Sequence, residues 1–250
     1  MDPGESSRKP SGMPHLFTNR PRLYDLTQGS QAIRKQFRWE TINAVFYKLG
    51  GLVFIAGSIF FFPRLDAYAD LGAWIFFAGS LLYLVVTFHD MMEVLRFRAS
   101  PEGRTRRSAL ELVAATTYLT GTILFTVGSI FFLSWVDWIV LGAWCFIIGS
   151  VLFVLGASVN VLQIVRAKNL ILLQLMNLTA VSFVAGSVLF TVASIPYLWQ
   201  FEAAQDRRIL LGYLAAQYLA GSIGFFLGGV FNYWRAYIVM REALKGHDVS

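Results

Sequence analysis

Between Leu71 and Phe88 the chain runs 18 residues without a charged side chain, and between Trp138 and Val159 it runs 22. An α-helix rises about 1.5 Å per residue, so about 20 such residues cross a hydrocarbon layer about 30 Å thick. Apolar runs of this kind recur at roughly 42–62, 71–92, 112–135, 138–160, 171–197 and 210–233. In lipid every backbone N–H and C=O must be satisfied within the protein, and a helix does this inside one segment. The expected fold is therefore all-α transmembrane, with six spanning helices.

The charges support this. The chain is 56% hydrophobic and 14% charged, too few charges to cover a soluble domain of this size. Its formal charge is +6. No nucleic-acid-binding motif accompanies that excess, so the expected partner is the lipid bilayer and no nucleic acid is expected. The single cysteine, Cys145, excludes an intrachain disulfide or a cysteine-based metal site and reads as a small apolar packing residue.

Basic residues mark one membrane face. Arg34, Lys35 and Arg38 precede the first span. Arg96, Arg98, Arg104, Arg106 and Arg107 separate the second from the third. Arg166 and Lys168 follow the fourth, and Arg235, Arg241 and Lys245 come last. The opposite loops hold Arg64, Arg207 and Arg208 among five acids. The positive-inside rule then puts both termini in the cytoplasm, in a plasma (cytoplasmic) membrane protein, with Trp135, Trp138 and Trp199 at the outer interface. Residues 1–41 form a polar, then basic tail without the apolar core of a cleavable signal peptide. Within it, residues 30–41 read either as an interfacial helix with Ile33, Phe37 and Trp39 toward lipid, or as a tail running straight into the first span.

The chain repeats itself. Tyr47, Gly50, Phe54 and Gly57-Ser58-Ile59-Phe60-Phe61 return 71 residues later as Tyr118, Gly121, Phe125 and Gly128-Ser129-Ile130-Phe131-Phe132. Leu71-Gly72-Ala73-Trp74 and Gly79-Ser80 return 70 residues later as Leu141-Gly142-Ala143-Trp144 and Gly149-Ser150. A fainter third copy carries Gly186, Phe190, Ala193-Ser194 and Gly221-Ser222. Each copy holds two spans, so all three enter from the same side. They are parallel helical-hairpin repeats and not the inverted repeats of many transporters. The expected organisation is hairpins over 42–98, 112–168 and 169–238, a basic loop over 99–111 and a tail over 239–250. A closed three-fold bundle and an open row both satisfy this pattern.

Gly-Ser-x-x-Phe followed by Leu-Gly-Ala-Trp-x-Phe-x-x-Gly-Ser resembles the YrhK-like domain family of two-helix membrane hairpins. The resemblance is closest over 43–95 and 115–166 and fainter over 175–235. It implies a membrane hairpin and supplies no catalytic residues.

Small residues seven apart line every span. Gly50 and Gly57, Gly72 and Gly79, Gly121 and Gly128, Gly142 and Gly149, Gly186 and Ala193, and Gly221 and Gly228 each make one stripe. Such stripes let helices approach closely in lipid, where apolar burial does not drive association. We read them as packing devices, with the adjoining serines bonding across helix pairs. The same device can serve a homo- or hetero-oligomer.

Candidate polar positions are few. Lys48 lies about two turns into the first span, where it can snorkel or pair with Asp90. Asp90, Asn160 and Asn232 occupy equivalent places, read chiefly as helix C-terminal groups at headgroup level and alternatively as a polar ring. Gln217 is the least comfortable group at depth. Ser108-x-x-Glu111 reads as a capping box, and Asp70 and Asp206 as helix caps. No phosphate loop, His-Glu-x-x-His or nucleophile elbow occurs, and His15, His89 and His247 lie far apart. No catalytic residue, cofactor or metal is expected. The reading is a non-enzymatic membrane protein with a structural or accessory role, the alternative being a small-solute or ion transporter or channel.

Overall fold

The computed structural model describes residues 30–99, 106–161, 170–199 and 204–247. The tail before Ser30, Arg104, Arg166 and Lys168 lie outside the described residues, as do the side chains of Ile33, Phe37, Trp39, Asn160 and Lys245. Among the described residues every long element is helical: α1 Ser30–Phe60, α2 Ala69–Ala99, α3 Arg106–Phe131, α4 Ile139–Val161, α5 Leu170–Ser194 and α6 Ala204–His247. All six are long and apolar enough to cross a membrane. The protein is a multi-pass integral membrane protein.

Each helix packs on its two neighbours in sequence, and α6 packs on α1. The six helices therefore close a ring of three hairpins, α1–α2, α3–α4 and α5–α6. This decides between the bundle and the row. The ring adds a seam that a row lacks, where Gly51 of α1 lies against Phe226 and Gly229 of α6 against Tyr47.

The helices outrun their apolar cores at the end where α1 begins and α6 finishes. Residues 30–41 are helical and not an irregular tail, because α1 starts at Ser30 and runs unbroken into the first span. Likewise α2 continues to Ala99 beyond the expected end at 92, and α6 to His247 beyond 233. The expected basic loop shortens accordingly, and most of the expected C-terminal tail is helix. The reason is physical. Hydropathy marks where lipid begins, but the backbone bonds of a helix do not depend on lipid and persist into the polar layer.

The expected caps are used differently. α3 begins at Arg106, so Ser108 lies within its first turn and does not precede the helix. Its buried hydroxyl accepts from Arg98 Nη1 of α2 at 3.2 Å, and Glu111 is buried one turn on. Asp70 sits in the first turn of α2. Its carboxylate accepts from the Ser134 backbone N–H at 2.8 Å and from the Ser134 hydroxyl at 2.6 Å. That pair ties the start of α2 to the α3–α4 loop, which joins the first hairpin to the second.

The α3–α4 loop turns on Asp137, which has φ 53°. Its N–H and that of Val136 both bond to Leu133 O at 2.9 Å. Asp tolerates the left-handed region better than a branched side chain does. Asp137→Val should therefore lower unfolding stability by about 1–2 kcal/mol, while Asp137→Gly should leave it unchanged or slightly raised. Thermal melts of the two variants in one detergent check the order; equal melting temperatures would mean the turn carries no strain.

Candidate functional site: the aromatic axis and the polar end

Every helix carries the pattern aromatic-x-x-small-Ser, as Phe54–Ser58, Phe76–Ser80, Phe125–Ser129, Phe146–Ser150, Phe190–Ser194 and Tyr218–Ser222, and α5 carries it a second time as Phe183–Ser187. The three hairpins turn these aromatics onto one axis. Phe76, Phe146 and Tyr218 form a triangle with ring centroids 6.1, 6.2 and 6.1 Å apart. Phe54, Phe125 and Phe190 form the next, at 6.5, 5.5 and 6.3 Å. Tyr83, Phe153 and Phe225 follow, with Phe225 lying 6.5 Å from Tyr83 and 6.1 Å from Phe153. Tyr47, Tyr118 and Phe183 hold the corresponding places toward the basic end, and Phe61, Phe132 and Tyr197 those toward the loop end.

The glycines explain how rings of this size fit. A Cβ built on Gly57 would stand 2.5 Å from the Phe76 ring, and one on Gly79 would stand 3.2 Å from Phe54. In the second hairpin Gly128 receives Phe146 at 2.8 Å and Gly149 receives Phe125 at 2.9 Å. In the third, Gly221 receives Phe190 at 2.6 Å. Each helix thus sends a ring into a notch on its hairpin partner. Backbone approaches backbone as well: a Cβ on Gly121 would lie 2.9 Å from Gly149 O, and one on Gly186 would lie 2.9 Å from Gly221 O. Gly50 meets Tyr83, Gly228 meets Phe183, and Gly72 and Gly142 meet Phe60 and Phe132 beside the loops.

The serines behave otherwise than expected. Ser58, Ser80, Ser129, Ser194 and Ser222 donate to the carbonyl four residues back in their own helix, at 2.7–2.9 Å. Only Ser58···Ser222, at 3.1 Å, and Ser194···Tyr218 Oη, at 2.7 Å, also reach across helices. A hydroxyl in an apolar bundle finds its own i−4 carbonyl in every rotation of the neighbouring helix, so the local bond wins. Thr122 and Thr126 do the same.

The axis holds little open space. The two tiers nearest the basic end, with Thr87, Thr122 and Ser187, enclose about 10 Å³ for the centre of a water-sized sphere, room for roughly one water. Ser80, Ser150 and Ser222 have no exposed surface.

The polar candidates gather at the basic end. Lys48 does not turn toward Asp90. Its Nζ lies 4.2 Å from the centre of the Tyr233 ring of α6, a cation–π contact across the α1–α6 seam. Asp90 and Asn232 are 1% and 2% exposed, inside helices that continue well beyond them, so they are not helix C-terminal groups. Asn160 stands at the equivalent place on α4, and its side chain is outside the described residues. Asn232 Oδ1 accepts from the buried Arg235 Nη2 at 2.9 Å. On α2, His89 Nε2 and Glu93 Oε1 are 3.9 Å apart, and His89 Nδ1 is 3.2 Å from Asn43 Nδ2 of α1. The carboxylate of Asp90 completes a group whose three ligand atoms all lie within 4.8 Å of one another. Gln217 is half-buried in α6, away from this cluster, with Oε1 enclosed.

Sequence reasoning passed over two things here. The aromatic three residues before each Gly-Ser or Ala-Ser pair was visible, but that it points at an axis follows only from ring closure. His89-Asp90-x-x-Glu93 was visible too, but not that Asn43 of α1 lies beside it.

No curated protein and no solved structure matches the chain. The family model described as YrhK-like protein matches it twice, over residues 37–95 and 108–165. Those segments cover α1–α2 and α3–α4, and the third hairpin repeats their geometry with Tyr218 in place of a phenylalanine and without Leu-Gly-Ala-Trp. The first two hairpins are thus YrhK-like, and a divergent third closes one ring with them.

Proposed function

We propose that this chain is a non-enzymatic membrane scaffold with a structural or accessory role, its basic end and both termini in the cytoplasm. The supporting observation is the aromatic axis, in which Phe54, Phe125 and Phe190 stand in mutual ring contact where a conduit would have to run. A transporter needs a hydrated site that opens alternately to both sides, and a channel needs a continuous wet path. Five tiers of rings locked into glycine notches oppose both. The exposed aliphatic and aromatic residues on every helix, such as Val85, Phe88, Trp144 and Leu155, suit lipid or a partner's helix.

Accessibility tests this reading. Replace Cys145 with Ala, then place single cysteines at Ser80, Ser150 and Ser222. Treat intact and opened vesicles with a charged, membrane-impermeant thiol reagent. No labelling before denaturation and full labelling after it is the expected result. Labelling of all three positions in opened native vesicles would replace the scaffold with a water-filled transport path. The same reagent on cysteines at Arg38 and Trp135 reports sidedness, the first expected to react from the cytoplasmic face and the second from the other.

A further inference from the structure

We propose that His89, Asp90 and Glu93 form a binding site for a first-row divalent metal ion at the basic end of α2. Their ligand atoms, an imidazole nitrogen and two carboxylate oxygens, lie within 4.8 Å of one another. Metal–ligand bonds of about 2.0–2.2 Å bring neighbouring donors to roughly 3 Å, so the widest separation in the group must contract by up to about 2 Å. The burial pattern allows this. The side chains of His89 and Glu93 are 33% and 28% exposed and can change rotamer, while Asp90 is buried beneath them and supplies a fixed point. His89 and Glu93 are one helical turn apart, the spacing that places two ligands on one helix face.

Two further observations point the same way. Asn43 of α1 contacts His89 Nδ1 at 3.2 Å. As placed, the amide nitrogen faces Nδ1; with the amide turned over, Nδ1–H donates to its oxygen and the Nε2 lone pair is left for a metal, the arrangement that orients most metal-bound histidines. The second observation is the broken symmetry. The axial aromatics and the glycines recur around the ring, but this donor set occurs once. Its counterparts are Val159, Asn160 and Gln163 in the second hairpin, and Phe231, Asn232 and Arg235 in the third. Asn43 is likewise replaced, by Ala114 and Thr179. Packing accounts for what the hairpins share and does not call for four polar residues in one of them.

Electrostatics favours a cation there. Two carboxylates this close repel when both are ionised, more so where one is buried, and a divalent ion between them removes the repulsion. One nitrogen and two oxygen donors suit Zn²⁺ or Mn²⁺ better than Ca²⁺, which prefers six or more oxygens, or Cu(I), which prefers sulfur. Three protein ligands leave coordination positions for water.

The test uses the full chain, purified in detergent without a polyhistidine tag and stripped with a chelator. Equilibrium dialysis against Zn²⁺, and separately Mn²⁺, is read by elemental analysis, with the melting temperature measured on the same samples. The expected result is one ion per chain and a higher melting temperature. His89→Ala and Glu93→Gln should each weaken affinity about tenfold or more, and Asn43→Ala about tenfold. The His15→Ala/His247→Ala double variant should bind as the parent does. No stoichiometric binding, binding unchanged in both His89→Ala and Glu93→Gln, or binding lost in the double variant would each overturn the site. The two half-exposed ligands are the ones to replace, because their variants are expected to fold, and circular dichroism verifies that they have.

Discussion

Gly121→Leu should unfold the second hairpin's seam, and Gly186→Leu the third's, each by about 1–3 kcal/mol at the least. The added Cβ alone would stand 2.9 Å from a backbone carbonyl, Gly149 O in one case and Gly221 O in the other. A carbonyl in a helix cannot swing aside as the end of a side chain can, so the whole helix must move. Moving it withdraws Phe125 from Gly149, or Phe190 from Gly221, and those rings belong to the axial tier shared by all three hairpins. The damage should therefore spread beyond the substituted pair. Gly212→Ala is the control: its Cβ would meet only Pro63, at 3.8 Å, and the helix gains roughly 0.5–1 kcal/mol from losing a glycine. The check is reversible unfolding in mixed micelles. Equal stability of Gly121→Leu and Gly212→Ala would show that the helices do not approach as closely as described.

Phe190→Ala should cost about 3–5 kcal/mol, the range for removing a fully buried phenylalanine. Phe190 has no exposed surface, and its ring touches Phe54, Phe76, Phe125, Tyr218 and Phe225. In lipid the loss is one of contact and not of apolar transfer, since a chain unfolded in the membrane leaves the ring in hydrocarbon. The measured value should accordingly fall toward the lower end of that range. Phe88→Ala, at a site 56% exposed, removes the same atoms from the lipid-facing surface and should change little. Double variants sharpen the test. Phe76→Ala with Phe146→Ala should depart from additivity, because the two rings stack with centroids 6.1 Å apart. If Phe190→Ala and Phe88→Ala proved equally mild, the axis would not be the packed core.

Much of this protein was legible before folding. The six spans follow from run length alone, because lipid admits no unpaired backbone and a helix needs a fixed number of residues to cross it. The three-hairpin plan follows from the recurrence of Gly57-Ser58, Gly128-Ser129 and Ala193-Ser194 at two spans per copy. Charge between the spans was legible too, since it is a property of segments and not of contacts.

Only the tertiary structure decided the rest. A seven-residue glycine stripe states that something approaches closely but not what, and Gly57 turned out to face the Phe76 ring. Periodicity could not tell a ring from a row, because both bury the same helix faces; the α6–α1 contact chose the ring. Helix ends also lay beyond reach of hydropathy, which reports solvent and not backbone bonding. That is why Asp90 and Asn232 read as terminal groups and proved to be buried inside continuing helices. Lys48 shows the same limit. Sequence offered snorkelling or a pair with Asp90, and closure of the ring brought Tyr233 of the last helix beneath its amine. Local chemistry is written along the chain, whereas partners distant in sequence are set by the geometry of closure.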